Sequence, residues 1–344
     1  MRCRAGCGLS LALSLAAAAP AVAQTDVPAA VSPVADPTPI ASYGGHLVFS
    51  RANGAGGFEL VQRVGDGPVA AVGVPPRSVP FDVDVGPTTG GHLLAVYTRC
   101  TTEPQANRGF PSITEYETGR GCDVYKADLT SGGAEQRYTK VNASDGTEFW
   151  PTYWKGRVGF ARVYDHERDH PYLYVKTIES GDPSERMPGG DQNRSVPQAL
   201  ELYGTRLAFA WRFQGNSAGL AYDLRLDTVD GGHRLMDHVD NGQLTSVPIG
   251  WPSFEDGRLF WTRACFGDTS GCKGRERLVK STYSGDIVEL EATAPRPLLS
   301  HERDRLMTVV LTDQSNVADC KGDPPRPAGT CSVEYSRPDF SPRG

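Results

Sequence analysis

Short apolar runs recur along the chain, separated by clusters of Gly, Pro, Asp and Asn, and six of them align. They are Leu47-Val-Phe-Ser-Arg51, Ala95-Val-Tyr-Thr-Arg99, Val158-Gly-Phe-Ala-Arg162, Leu207-Ala-Phe-Ala-Trp211, Leu259-Phe-Trp-Thr-Arg263 and Leu306-Met-Thr-Val-Val310. Their last residues stand 48, 63, 49, 52 and 47 positions apart. The middle residue is aromatic in five of the six: Phe49, Tyr97, Phe160, Phe209 and Trp261. The second and fourth positions are small or apolar as well, so neither face of the run is built for water. A strand apolar on both faces is covered on both faces.

What flanks each core run repeats too. Before it lies a short strand ending in a Gly turn, as in Trp150-Pro151-Thr-Tyr-Trp-Lys-Gly156 and Trp251-Pro252-Ser-Phe-Glu-Asp-Gly257. The Gly suits the positive φ of a tight hairpin. After it come a loop, a second strand (Cys122 to Leu129, Tyr172 to Ile178, Tyr222 to Thr228), another Gly turn and a polar outer strand. Each unit therefore reads as inner, core, third and outer strand. Helix-period runs are scarce. The period predicts an all-β chain: a six-bladed β-propeller of four-stranded antiparallel blades, each blade covered by its two neighbours. The last unit stops without an outer strand, and the segment Val27 to Val34 is available to fill that place and close the ring.

The amino terminus has a different character. Arg2 and Arg4 precede an apolar run from Leu9 to Ala19 with no acidic residue, followed by Ala21-Val22-Ala23. That order predicts a secretory signal peptide over residues 1–23. The run is shorter than the roughly 20 residues a membrane-spanning helix needs. The expected divisions are the signal peptide at 1–23, the propeller at 24–336 and a flexible tail at 337–344. Without Arg2 and Arg4 the chain carries 33 basic against 41 acidic residues, a balance of −8. That balance argues against nucleic acid, which calls for a clustered basic footprint.

The stretch from Asp145 through Trp150-Pro151 and Gly156 to Arg162 resembles the repeat of TolB-type, WD-like β-propellers: an Asp-Gly turn, a Pro beside a Trp, a Gly turn, then an apolar-aromatic strand. Trp251 to Arg263 is similar. The resemblance covers most of the chain after the signal, strongly in the third to fifth units. It implies the architecture. It leaves function open, because the family includes periplasmic interaction modules and the propeller parts of peptidases. No hydrolase domain and no serine-nucleophile elbow are expected beside this propeller.

Six cysteines follow the signal, and fifteen pairings are open to them. The repeat narrows these to Cys100–Cys122, Cys265–Cys272 and Cys320–Cys331, each spanning the loop between a core strand and its own third strand. Export makes oxidation expected. These loops emerge on one face of the disc. The longest are Thr101 to Gly121 and Thr312 to Thr330; either such loops mark that face for binding, or their staples only protect an exported protein from proteolysis.

Four patterns suggest chemistry. His166-Glu167-Arg-Asp-His170 spells the HExxH of zinc peptidases, which needs both His on one helix face. Here it lies between strands and before Pro171, so a His- and Asp-rich loop is expected. Arg51, Arg99, Arg162 and Arg263 share one place in four units. Either they form an anion-binding ring or each pairs with a local acid; local pairing is expected. Asp82-Val-Asp84 resembles a calcium pair, yet alternation puts both side chains on one face without an oxygen-rich loop. Asn142-Ala-Ser144 and Asn193-Arg-Ser195 fit the glycosylation pattern. No catalytic residue, metal site or cofactor is assigned, and the binding residues stay unknown. The expected function is a non-catalytic binding scaffold, secreted or periplasmic, acting as a monomer on a protein or cell-envelope partner. The alternative is a carbohydrate-directed propeller, a lectin or a glycan lyase or hydrolase, using the central channel.

Overall fold

The computed structural model describes residues 29–34, 39–104, 119–180, 182–187, 196–214, 220–240, 249, 252–255, 257–264, 277–283, 286–290, 298–302, 307–312 and 331–336. Its strands pair into six four-stranded antiparallel sheets. β1 (Ala29–Val34) comes first in the chain. The first blade holds β2 (Ile40–Tyr43), β3 (His46–Ala52), β4 (Phe58–Val64) and β5 (Ala70–Ala71). The second holds β6 (Asp84–Pro87), β7 (Leu93–Thr102), β8 (Arg120–Asp128) and β9 (Gln136–Arg137). The third holds β10 (Gly146–Trp154), β11 (Arg157–Tyr164), β12 (Glu167–Thr177) and β13 (Glu185–Arg186). The fourth holds β14 (Val196–Tyr203), β15 (Arg206–Gln214), β16 (Leu220–Thr228) and β17 (His233–Asp240). The fifth holds β18 (Ser253–Glu255), β19 (Arg258–Ala264), β20 (Arg277–Tyr283) and β21 (Asp286–Leu290). The last sheet runs β22 (Leu298–Glu302), β23 (Met307–Thr312), β24 (Cys331–Ser336) and then β1. The first strand of the chain is thus the outer strand of the last blade, with Val34 opposite Cys331 and Ala29 opposite Tyr335.

Burial explains the architecture. Along β7, Ala95 and Tyr97 pack with Val48 and Leu60 of the first blade, while Leu94 and Val96 pack with Val158 and Phe160 of the third. Along β11, Val158 and Phe160 face back to the second blade, and Ala161 and Val163 join Leu207 and Phe209 of the fourth. In β15, Ala208 turns to Phe254 and Trp261 of the fifth. Phe49, Tyr97, Phe160, Phe209 and Trp261 are all fully buried. Each such ring contributes about 1.5–3 kcal/mol by leaving water, and does so only while both neighbouring blades are present.

Two glycines mark where the chain has no alternative. Lys155 (φ 42°) and Gly156 (φ 79°) form the two-residue turn between β10 and β11, and both are left-handed as that hairpin requires. At Gly86 a Cβ would come within 2.0 Å of the Tyr153 carbonyl oxygen, so a side chain there would push the second and third blades apart. Inner strands present a sheet edge to the centre of the disc, where proline removes a donor that could not be paired. Pro39, Pro151 and Pro252 all line that centre.

At the hairpin ends of the inner strands the centre is closed by aromatic rings. Tyr43 meets Trp154 edge-on at 5.8 Å, Trp154 lies 4.6 Å from Tyr203, and Tyr203 lies 5.6 Å from Phe254. Tyr43 belongs to the first blade and Trp154 to the third, so their contact crosses the channel. The described residues contain no helix long and apolar enough to cross a membrane. Residues 1–23 and 337–344 lie outside the described residues.

A chain lacking residues 24–38 is expected to melt more than about 5 °C lower than the full chain, because the last blade loses β1 and its edge opens. An unchanged melting temperature would show that the ring does not depend on this closure.

Candidate functional site

The core-to-third-strand connections and the connections into the inner strands lie on the face opposite the aromatic closure. On that side the inner strands enclose a cavity of about 30 Å³, walled by Ile40, Asp82, Asp84, Trp150, Leu200 and Glu201 among others. That volume holds a water molecule or two. Its polar walls are the acidic residues of the Asp82-Val-Asp84 pattern and Glu201.

Asp82 is fully saturated. Its Oδ1 accepts from the Arg77 guanidinium at 3.2 Å and from the Thr98 N–H at 3.0 Å. Its Oδ2 accepts from the Thr98 hydroxyl and from the Trp150 N–H at 2.8 Å. A carboxylate offers about four lone-pair sites, and all four are used. Burial pushes the Asp82 pKa up, against the Arg77 charge and the Thr98 and Trp150 donors that pull it down. Arg77 is itself fully buried and ion-paired on its other side to Glu103 at 2.6 Å. Trp150 has a φ of 51° and sits in a bulge of β10 between Phe149 and Thr152. A left-handed conformation is rare for so bulky a residue and persists only where its surroundings impose it; here the Asp82 bond to its N–H does so.

Asp84 faces the same way. Its Oδ2 accepts from the Thr152 hydroxyl at 2.7 Å and from the Tyr153 N–H at 2.8 Å. Thr152 in turn accepts from the Leu202 N–H at 2.9 Å. The second, third and fourth blades are therefore stitched together at the channel wall by side chains bonded to neighbouring backbones. As the sequence predicts, the two Asp side chains lie on one side, and both bond the third blade.

Glu148, on β10, is a further buried carboxylate, outside the cavity lining. Its Oε1 accepts from Arg162 Nε at 2.7 Å and from the Ala143 N–H at 3.1 Å, while its Oε2 is buried with no hydrogen-bond partner. Burial raises its pKa to about 7, outweighing the pull of Arg162.

The other sequence-predicted residues fall as follows. Arg51 pairs with Glu59 at 2.9 Å, Arg99 with Glu135 at 2.7 Å, Arg162 with Glu148 at 2.7 Å and Arg263 with Asp237 at 3.3 Å. The four arginines are thus locally paired and form no anion-binding ring. Cys100 and Cys122 sit opposite one another in β7 and β8 and are joined by a disulfide. Cys265, Cys272 and Cys320 lie outside the described residues, and of Cys331 only the backbone, at the start of β24, is described. The His166-to-His170 segment is a correction in detail: it is a two-residue turn, Asp165–His166, with Glu167 already opening β12. A hairpin this tight leaves no His-rich loop, and strand geometry excludes the HExxH helix face. Among the described residues no group of three or more His, Cys, Asp or Glu side chains converges as metal ligands would. The Asn142 side chain bonds both the N–H and the carbonyl of Val124, extending the sheet; Asn193 lies outside the described residues.

A second correction concerns the nucleophile elbow. Gly215-Asn-Ser217-Ala-Gly219 does spell Gly-x-Ser-x-Gly. These five residues lie outside the described ones, but the strands on either side pair up to their ends, Gln214 opposite Leu220. The pentapeptide therefore joins two antiparallel strands, whereas the elbow joins a strand to a helix. Sequence reasoning missed Arg77, Glu103, Glu148 and Thr152. Only the Asp82–Asp84 spacing hinted at a shared face.

Asp82→Ala is expected to cost about 3–5 kcal/mol of stability in denaturant unfolding, because it leaves the Arg77 guanidinium buried with one partner fewer and frees the Trp150 backbone. The Glu148 pKa is raised above its ordinary 4.5. This group's contribution is therefore most favourable below about pH 4.5 and is lost as pH rises to about 7, a change on the order of 3 kcal/mol. Glu148→Gln should flatten that part of the stability–pH curve; an unchanged slope would assign the proton elsewhere.

No family model matches the chain, and no curated protein matches it in sequence. Among solved structures it is similar to an alpha-L-arabinanase of Penicillium chrysogenum, with a TM-score of 0.50 and 11% identity over 91% of this chain and 98% of that one. A fucose-specific lectin from Aleuria aurantia aligns with a TM-score of 0.46 and 11% identity over 90% and 98% of the two chains. A puromycin-hydrolyzing peptidase of Mycobacterium tuberculosis aligns at 0.44 and 13%, over 84% of this chain and 40% of the peptidase. At such identities the arabinanase likeness carries the fold alone, in agreement with the strand pairing: the chain is an all-β propeller with four-stranded antiparallel blades.

Proposed function

We propose that the chain is an exported, six-bladed, TolB-type β-propeller acting as a non-catalytic binding scaffold for a protein or cell-envelope partner. Its contact surface is the face that carries the Cys100–Cys122 connection. The observation that supports this is the engagement of Asp82 and Asp84, two of the three channel carboxylates, by the neighbouring strands. A general acid or base must reach the substrate proton, and Asp82 gives all its acceptor sites to Arg77, Thr98 and Trp150. Asp84 is likewise engaged by Thr152 and Tyr153. The remaining wall is mainly proline and aliphatic, with Trp150, Ser253 and Glu201. Export is supported by the apolar amino-terminal run and by the Cys100–Cys122 disulfide, a bond that persists in oxidising compartments. The arabinanase likeness makes a carbohydrate the second ligand class to test.

The test is capture from a native envelope fraction with the purified chain as bait, alongside a glycan array. Saturable capture of a protein or envelope component, with no glycan bound, is the expected result. Glycan binding or turnover that disappears in a folded Asp84→Asn variant would replace the scaffold with the carbohydrate reading.

A further inference from the structure

The face closed by aromatic rings carries a charge pattern of its own. Core strands start there, at the inner hairpins, and β3, β11, β15 and β19 start on a basic residue: His46, Arg157, Arg206 and Arg258. Lys155 stands beside them in the turn between β10 and β11. Two of these side chains are settled locally. His46 bonds the Gln62 amide oxygen at 3.1 Å, and Arg258 Nε donates to the Thr282 carbonyl at 2.9 Å. Lys155, Arg157 and Arg206 differ. Lys155 is exposed, with its Nζ 5.3 Å from the centre of the Trp154 ring. Arg206 lies over Tyr203 at 5.4 Å and over Phe254 of the fifth blade at 5.2 Å. Arg157 reaches the Gly204 carbonyl of the fourth blade from Nη1 at 3.5 Å, and its Nε is buried with no hydrogen-bond partner. Among the described residues none of these three cations has an acidic partner, and the side chains of Lys155 and Arg206 donate no hydrogen bond. The acids of this face lie at the turns into the outer strands and are already engaged: Asp66 by Arg63, Asp128 by His92, Glu179 by Thr89 and Asp230 by Thr228.

We propose that Lys155, Arg157 and Arg206 form a second binding surface, which takes an acidic peptide segment of a partner protein. Lysine and arginine donate hydrogen bonds and accept none, so the ligand must be rich in acceptors and poor in donors. A carboxylate is both, and a guanidinium edge holds it with charge-assisted bonds. Sugar hydroxyls would bring donors that find no acceptor here. Stacking of a sugar or entry into a lipid headgroup layer would need open apolar faces, whereas Trp154 and Phe254 are buried and the rings are covered by the cations themselves. The charges are also strung along the disc: Arg157 crosses the seam between the third and fourth blades, and Arg206 the seam between the fourth and fifth. That spacing suits a chain with carboxylates at intervals better than a single phosphate. Stacking on the rings holds Lys155 and Arg206 in place before the ligand arrives, so little ordering is left to be done on binding. This surface lies opposite the Cys100–Cys122 connection and does not rest on what that face binds.

Fluorescence anisotropy on the full chain tests it, with a short labelled peptide alternating Glu and Ser and its Gln counterpart as probes. The Glu peptide should bind, more weakly as salt is added, and the Gln peptide should not. Lys155→Gln should weaken binding about threefold, and Lys155→Gln/Arg206→Gln about tenfold. Arg63→Gln removes a cation of the same face that is already paired with Asp66, and should leave binding unchanged. Lys155 is exposed, so if the double variant fails to fold, the single variant decides alone. No binding of the Glu peptide overturns the proposal, as does unchanged affinity in Lys155→Gln or equal weakening by Arg63→Gln. Tighter binding of polygalacturonate, of inorganic phosphate or of phosphatidylglycerol vesicles than of the Glu peptide overturns the peptide as the ligand.

Discussion

The whole molecule follows from one constraint: each core strand is apolar on both faces. Leu94 and Val96 need one neighbour and Ala95 and Tyr97 need the other, so a single blade would leave half of its apolar surface in water. A row of blades moves the problem to its two ends, and a ring removes it. Closure is therefore the condition under which burial counts in full, which is why a strand as peripheral in sequence as β1 is drawn into the last sheet beside β24. The same condition explains Gly86, where the approach of the next blade leaves no room for a side chain.

Apolar packing between flat sheets is non-directional and does not fix how far one blade slides along the next. The polar contacts at the channel do that. Asp82 and Asp84 each bond a backbone N–H of the third blade, and Thr152 bonds one of the fourth. Burying a carboxylate is costly unless its partners are complete, and these side chains are bonded to rigid strands rather than to flexible side chains alone. Glu148 shows the opposite case. One of its oxygens is buried with no hydrogen-bond partner, whereas all the acceptor sites of Asp82 are filled.

Much of this was legible in the chain because repetition amplifies weak local signals. One Phe in a short apolar run says little, whereas an aromatic residue at the same place in five units specifies a strand buried on both sides. The same register placed Cys100 opposite Cys122 before any geometry was known. What could not be read is what does not repeat. Asp82 and Trp150 are 68 residues apart, and no other unit has the pair to mark it. Nothing in Pro75-Pro76-Arg77 announces that this arginine is buried between two acids. Nor does Trp150-Pro151 announce a left-handed tryptophan, because the cause lies in another blade. Short strings carry less than their context: HExxH and Gly-x-Ser-x-Gly both match, and in both the flanking strands pair antiparallel in place of a helix.

This division bears on function. The channel wall is where many small-molecule sites of ring-shaped folds would be sought, and here Asp82 and Asp84 are each bonded to a backbone N–H of the third blade. Turning either carboxylate toward a ligand would cost that blade a bond at the wall. The Cys100–Cys122 connection reaches the same node: Glu103, which follows β7, clamps Arg77, and Arg77 in turn donates to Asp82.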